Sequence, residues 1–261
     1  MTTTDSTTIT LTVERGLEVL RAFRAERVSL SNADLVRRTG LSKATVSRIT
    51  TTLIRIGFLR RVTGGPRFEL STGALSIGHA YLEANAMARI VNPFLQKLAD
   101  KLGLSVALAV PDHLDMLYIA YRSSAKIATL RLGVGTLLPM ESTSVGRAYL
   151  YALPESERRK LIKAILASPG KDTDLVRQGL ETAFADLGSS GVCMAVGEYQ
   201  RNAYGIALPL RLGRAKTLMA LNCGAVEMEP DMTAIRKRAI PQLQAAASAL
   251  SDLLADVDCE K

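Results

Sequence analysis

Val13, Leu17, Leu20 and Phe23 recur at three- and four-residue intervals, the spacing of one apolar helix face, and predict a first helix over residues 12–25. Ser31 followed by Asp34 is a helix-start signal. The hydroxyl caps free N–H groups, and the carboxylate meets the positive end of the helix dipole. Thr39-Gly40 closes that second helix, glycine suiting a left-handed C-terminal residue. Ser42 opens a third. At 100° per residue, Val46, Ile49, Leu53 and Ile56 fall on one side of it, and Ala44, Ser47, Arg48, Thr51 and Arg55 on the other.

A short helix, a glycine turn and an amphipathic helix with a polar free face form a helix-turn-helix, which makes double-stranded DNA the first partner to consider. Ser42, Lys43 and Thr45 lie at the helix start, the end that meets base edges. Ala44 is small enough for close approach, and Ser47 and Thr51 carry hydroxyls along the same face. Arg48 has the paired donors that read guanine, while Lys43 suits a phosphate. An ordinary solvated face remains the alternative. Phe58 to Val62 and Arg67 to Leu70 then read as two strands around Thr63-Gly64-Gly65-Pro66. That basic hairpin makes the module a winged helix, with Arg60, Arg61 and Arg67 as candidate backbone or minor-groove contacts.

Further on, residues 72–91 read as a linker helix. Asn92 is positioned to cap a next helix that has Pro93 at its first turn and Gly103 at its end. Short strand-like runs follow at 104–110, 114–121 and 126–132. Helical patterns come next at 144–152, 155–167 and 173–187. Strands resume at 192–196, 204–210 and 217–223, and a last helix covers 232–256. Strands, then helices, then strands imply an α+β domain on a mostly antiparallel sheet. The expected organisation is a disordered N-terminus over 1–11, a DNA-binding domain over 12–71, the linker helix over 72–91, and an effector and oligomerisation domain over 92–261.

Charge sharpens this division. Residues 1–75 hold 12 basic and 6 acidic side chains, net +6, whereas residues 76–261 hold 21 and 19, net +2. The excess sits with the module that would meet phosphates. Cys193, Cys223 and Cys259 are odd in number and form no C-x-x-C pair, which points to a reduced, cytoplasmic setting rather than a disulfide framework. The opening residues are polar and do not resemble a signal peptide, and no apolar run approaches membrane-spanning length.

Catalytic signals are thin. With only His79 and His113, the H-E-x-x-H zinc motif is absent, and so is the G-x-S-x-G elbow. Ser123-Ser124-Ala125-Lys126 matches S-x-x-K without a partner motif. Gly133-Val134-Gly135 is too little for a dinucleotide loop. No cofactor or metal is expected, and the chain reads as a non-enzyme. Two alternatives stand beside a regulator. One is a thiol enzyme using Cys193 or Cys223. The other is a non-specific architectural DNA binder, which leaves the second domain unexplained.

Four fragments carry a family resemblance: Glu14 to Leu20, Gly40 to Arg48, Pro139 to Ala148, and Glu198-Tyr199 followed by Gly205 to Pro209. In this order and spacing the chain resembles the IclR family of bacterial transcriptional regulators. The resemblance implies a winged helix-turn-helix, a linker helix and a C-terminal effector domain of GAF-like fold. It also implies dimers, often paired into tetramers, on palindromic operators. Two positions depart from the family pattern. Asn202 stands where glycine is usual, and asparagine is the next best residue for a left-handed turn. Leu221-Asn222-Cys223-Gly224 replaces a serine-rich segment.

The resemblance places a small-molecule pocket where a serine-rich turn opens a helix against the sheet. Here that turn is Ser142, Thr143, Ser144, Val145 and Gly146. Elementary electrostatics agrees, since free amides and the positive dipole end attract carboxylates. The same residues could serve only as a helix cap. Leu130, Leu138, Val145 and Ile206 are candidate walls, with plain core as the alternative, and Glu198, Tyr204 with Gly205, and Asn222 are candidate contacts from facing strands. The expected effector is a small organic acid, aromatic acids included.

Overall fold

A computed structural model describes residues 10–24, 29–125 and 132–259. The chain divides into two compact units, one ending at Ala84 and the other beginning at Asn85.

The first unit contains α1 (Leu11–Arg21), β1 (Leu30–Ser31), α2 (Asn32–Thr39), α3 (Lys43–Arg55), β2 (Leu59–Arg61), β3 (Arg67–Leu70) and α4 (Thr72–Ala84). Its core is Val19, Phe23, Leu30, Leu35, Val46, Ile49, Leu53, Leu59 and Phe68, so the apolar side of α3 faces inward. Ser31 caps α2 in a reciprocal box: its hydroxyl accepts from the Asp34 amide, and the Asp34 carboxylate accepts from the Ser31 amide. Gly40 ends α2 at φ +69°, a left-handed conformation that costs a residue without Cβ little. The three strands pair antiparallel in the order β1-β3-β2, completing the wing.

Two expectations for this unit change. Helix α1 spans Leu11–Arg21 rather than 12–25, and Val13 and Leu17 are 60% and 55% exposed, leaving Val19 and Phe23 to anchor it. The linker helix stops at Ala84. The next helix, α5 (Ala86–Leu102), is capped by Asn85 and not by Asn92, the Asn85 Oδ1 accepting from the Ala88 amide. Pro93 therefore lies inside α5, where it removes one helical hydrogen bond. The buried stripe of Met87, Val91, Leu95, Leu98 and Leu102 continues past it in helical register, and that burial outweighs the missing bond.

The second unit adds β4 (Ser105–Asp112), β5 (Asp115–Ser123), β6 (Leu137–Pro139), α6 (Ser144–Ala152), α7 (Glu155–Leu166), α8 (Thr173–Ser190), β7 (Cys193–Val196), β8 (Ala203–Leu212), β9 (Thr217–Val226) and α9 (Met232–Leu253). The sheet is antiparallel throughout, in the order β6-β5-β4-β9-β8-β7. Its two faces differ by residue size. Val106, Leu108, Ile206, Leu208, Leu221 and Cys223 pack with α5 and α9. Ala107, Ala109, Ala207 and Ala220 pack with α6 and α8, small residues that let α6 lie close. Of the strand expected over 126–132, residues 126–131 lie outside the described residues, and Leu132 is in no strand.

Candidate functional site

The outer face of α3 is fully available. Lys43, Ala44, Ser47, Arg48, Thr51 and Arg55 are exposed, and Thr45 is partly so. Ser42 caps the helix by accepting from the Thr45 amide, so its hydroxyl is engaged in structure, with the Thr45 hydroxyl 2.9 Å away. Thr51 donates its hydroxyl back to the Ser47 carbonyl at 2.9 Å, so that hydroxyl is engaged within the helix.

The wing differs from what its sequence suggests. Arg67 donates to the Ser29 hydroxyl at 3.0 Å and to the Ser29 carbonyl at 2.6 Å, and it lies 3.5 Å from Asp34. Arg60 pairs with Glu69 at 2.7 Å, and Arg61 lies over the Phe68 ring at 5.6 Å. All three are exposed, yet each holds an internal partner, because cross-strand neighbours come within side-chain reach once the hairpin closes. Arg67 fastens the hairpin to the start of α2.

In the second unit, β6 delivers the chain through Glu141 and Ser142 to α6. Thr143 caps α6, its hydroxyl accepting from the Gly146 amide at 3.3 Å and donating to the Pro139 carbonyl at 2.6 Å. The Ser144 and Val145 amides stand in the first turn, outside that cap. Gly146 is required here, since a Cβ would fall 2.2 Å from the Met140 Cα. Gly205 is the matching position on the sheet, where a Cβ would lie 2.6 Å from the Ser144 hydroxyl.

This close approach leaves a cavity of about 60 Å³ between the helix start and the sheet. Its wall includes Leu138, Ser142, Thr143, Ser144, Val145, Glu198, Tyr204, Gly205 and Asn222 from the sequence analysis. Gly146 lies just behind the wall. Leu130 lies outside the described residues. Ile206 does not belong to the wall: strand alternation turns it to the α5–α9 face, where it is fully buried core. Tyr204 shares that alternation. It packs in the core of the opposite face, and burial, with Glu227 beside its phenol adding to it, raises its pKa. Its backbone, against Gly224, is the part that shapes the cavity floor. Asn202 does not take the left-handed turn its residue type suggested; Gly197 does, at φ +72°, and the Asn202 carbonyl accepts from Glu227 at 2.8 Å.

Sequence reasoning missed Tyr118 and Tyr199 in the wall, which read as strand and loop residues with no chemistry of their own. It also missed Arg147. Its side chain is 3% exposed behind the α6 start, and it donates to the Glu141 carbonyl at 2.8 Å and to both carboxylate oxygens of Glu198. Glu141 is itself buried and paired with Lys171. The Glu198 charge at the cavity wall is thus balanced from behind. Burial pushes the Cys193 and Cys223 thiols up to about 12, opposite to what a thiolate nucleophile needs.

Among the described residues, no helix is long and apolar enough to cross a membrane. The family model of the IclR helix-turn-helix domain matches residues 12–63, and that of the bacterial transcriptional regulator IclR C-terminal domain matches residues 79–252. The Pca regulon regulatory protein of Pseudomonas putida is 28% identical over 235 residues, 89% of this chain and 80% of that protein. The crystal structure of an IclR family transcriptional regulator from Brucella abortus superposes with a TM-score of 0.80 at 33% identity, covering 94% of each chain. An IclR homologue from Microbacterium hydrocarbonoxydans, solved with 4-hydroxybenzoate, has the same fold at TM-score 0.63 and 21% identity, over 93% of this chain and 98% of that one.

Proposed function

The chain belongs to the IclR family of bacterial transcriptional regulators, and on that premise we propose that a small organic acid, bound at the start of α6, modulates its grip on operator DNA. The observation that carries the reading is the cavity between α6 and the sheet. Helix-start amides and hydroxyls of Ser142 and Ser144 stand at one wall, Glu198 is neutralised by Arg147, and aromatic and apolar residues line the rest. The bound acid in the Microbacterium homologue supports an aromatic acid as one candidate. The cell's DNA, and so the cytoplasm, is the working compartment.

Operator contact falls to Lys43, Ala44, Ser47 and Arg48 on α3, with Arg55 at the far end. Self-association is supported by the exposed apolar residues Leu11, Val13 and Leu17 of α1 and Leu75, Ile77 and Leu82 of α4. A symmetric dimer would present two recognition helices to half-sites about one DNA turn, roughly 34 Å, or a multiple of it, apart. Ligand acts by favouring one arrangement of the modules, within the limit set by its difference in affinity for the two.

Fluorescence anisotropy of the protein on DNA from upstream of its own gene tests this against a scrambled duplex across a salt series. Preference for the upstream DNA, relieved or strengthened by a small acid in a saturable way, supports the reading. Equal and steeply salt-dependent binding to both duplexes would favour an architectural DNA binder instead.

A further inference from the structure

We infer that Asn222 and Tyr118 form a hydroxyl-reading pair in the effector cavity, so that the acid this protein senses carries a hydroxyl at the end opposite its carboxylate. The inference rests on the cavity being the effector site. Asn222 and Tyr118 both line it, 9% and 2% exposed. The Asn222 Nδ2 donates to the Tyr118 phenol oxygen at 2.9 Å, which leaves the Asn222 Oδ1 out of solvent without a hydrogen-bond partner. Turning the amide over would exchange the roles and leave a donor unmatched instead. A hydroxyl donates and accepts at once, so it completes the pair in either orientation. A methyl ether cannot donate to the amide oxygen, and a hydrogen atom does neither.

Register sets the distance. Gly205 pairs with Gly224, and Ser144 rests against Gly205; Ala207 pairs with Asn222, two residues further along the same face. At the rise of an antiparallel strand this is about 7 Å. The Ser144 and Val145 amides and the Asn222–Tyr118 pair thus line one cavity from separate positions, as an acid with polar groups at both ends requires.

Titration calorimetry of the full-length protein with benzoate, 4-hydroxybenzoate and 4-methoxybenzoate tests the inference, on the wild type and on Asn222→Leu, Tyr118→Phe and Gly205→Ala. The wild type should bind the hydroxy acid at least about tenfold more tightly than the other two, the scale of one buried polar group gaining its partner. Asn222→Leu should erase that preference, bringing the hydroxy acid to the affinity of benzoate, since the group's hydrogen bond is lost. Tyr118→Phe should reduce the preference in part, and it carries the test alone if the leucine variant fails to fold by circular dichroism. A wild type that binds benzoate and the hydroxy acid equally, or a preference that survives both substitutions, overturns the inference while leaving the cavity as effector site. Binding of no acid, or acid binding unmoved by Gly205→Ala, overturns the effector reading and this inference with it.

Discussion

Arg147 clasps Glu198 with both terminal nitrogens, Nη1 reaching Oε1 at 2.8 Å, and the bond ties the start of α6 to the loop after β7. The guanidinium fits because position 179 on α8 is glycine: a Cβ there would fall 2.2 Å from Nη2. Removing the anion alone should be costly. Glu198→Ala leaves a buried cation unpaired, and because Glu198 is 34% exposed we expect a loss of about 2–3 kcal/mol, below the full cost of breaking a buried pair. The double variant Arg147→Met/Glu198→Leu should recover most of it. Urea melts of the single and double variants check this, and a double variant no better than Glu198→Ala would contradict the pairing argument. Arg147→Met alone exposes the cavity to an uncompensated carboxylate and should weaken binding of acids, more so at low ionic strength.

Gly205 and Ser144 make contact as closely as a glycine allows. Gly205→Ala should push the Ser144 side chain off the strand, cost about 1–3 kcal/mol in stability and blunt the response to ligand. Because the clash is with the hydroxyl and not with the Ser144 Cβ, which stands 3.8 Å off, Gly205→Ala/Ser144→Ala should regain stability. Thermal melts compare the two, and equal melting temperatures would sink the steric account.

On the DNA side, the two kinds of arginine should separate in binding assays. Among the described residues Arg48 shows no ion-pair or hydrogen-bond partner for its side chain, so Arg48→Ala should leave stability alone. It should cost on the order of 1–3 kcal/mol in operator binding and relax sequence preference. Lys43→Ala should weaken all duplexes alike and lower the salt slope by about one. Arg67→Ala should instead lower the stability of the winged module by about 1 kcal/mol, since it deletes two hydrogen bonds to Ser29. Anisotropy together with melts of each variant decides, and an Arg67→Ala protein of wild-type stability would count against its bracing role.

Acid should release the α2 cap in a defined window. The Ser31 amide and hydroxyl, then Arg37, hold the Asp34 carboxyl at about 2, well below its ordinary value. A carboxyl depressed in the folded chain contributes stability that is fully present above the unfolded value of about 3.9 and is lost as pH falls toward the folded one. Between about pH 4 and about pH 2, wild type should therefore lose more stability than Asp34→Asn. Parallel denaturation curves for the two proteins across that window would contradict the assignment.

The cysteines should be silent in the native protein. Burial raises all three thiols, Cys193 and Cys223 to about 12. Alkylation near pH 8 should proceed only as fast as the chain opens, and become complete in denaturant. Rapid labelling of Cys193 or Cys223 in the folded state would revive a thiol enzyme.

The local pattern of this chain carried most of the fold and part of each candidate site. Helices α2 and α3, the wing strands and most of the second unit's elements follow from periodicity and caps, because main-chain geometry and side-chain alternation are set by near neighbours; β6, three residues long, left no such pattern. Ser142 to Val145 and the α3 face were legible for the same reason: a helix start and an amphipathic face are both local. What only the tertiary structure decided lies between elements. The partners of Arg60, Arg61 and Arg67 come from strands brought together by the wing. Arg147 meets Glu198 across 51 residues, and Asn222 meets Tyr118 across 104. The helix break at Asn85 rather than Asn92 was likewise settled by a buried stripe that tolerates Pro93, and Ile206 left the cavity because pairing register assigned it to the other face. Sequence states which groups are available. Packing and register, which depend on distant segments, determine which of them are satisfied inside the protein and which are left to meet DNA or a ligand.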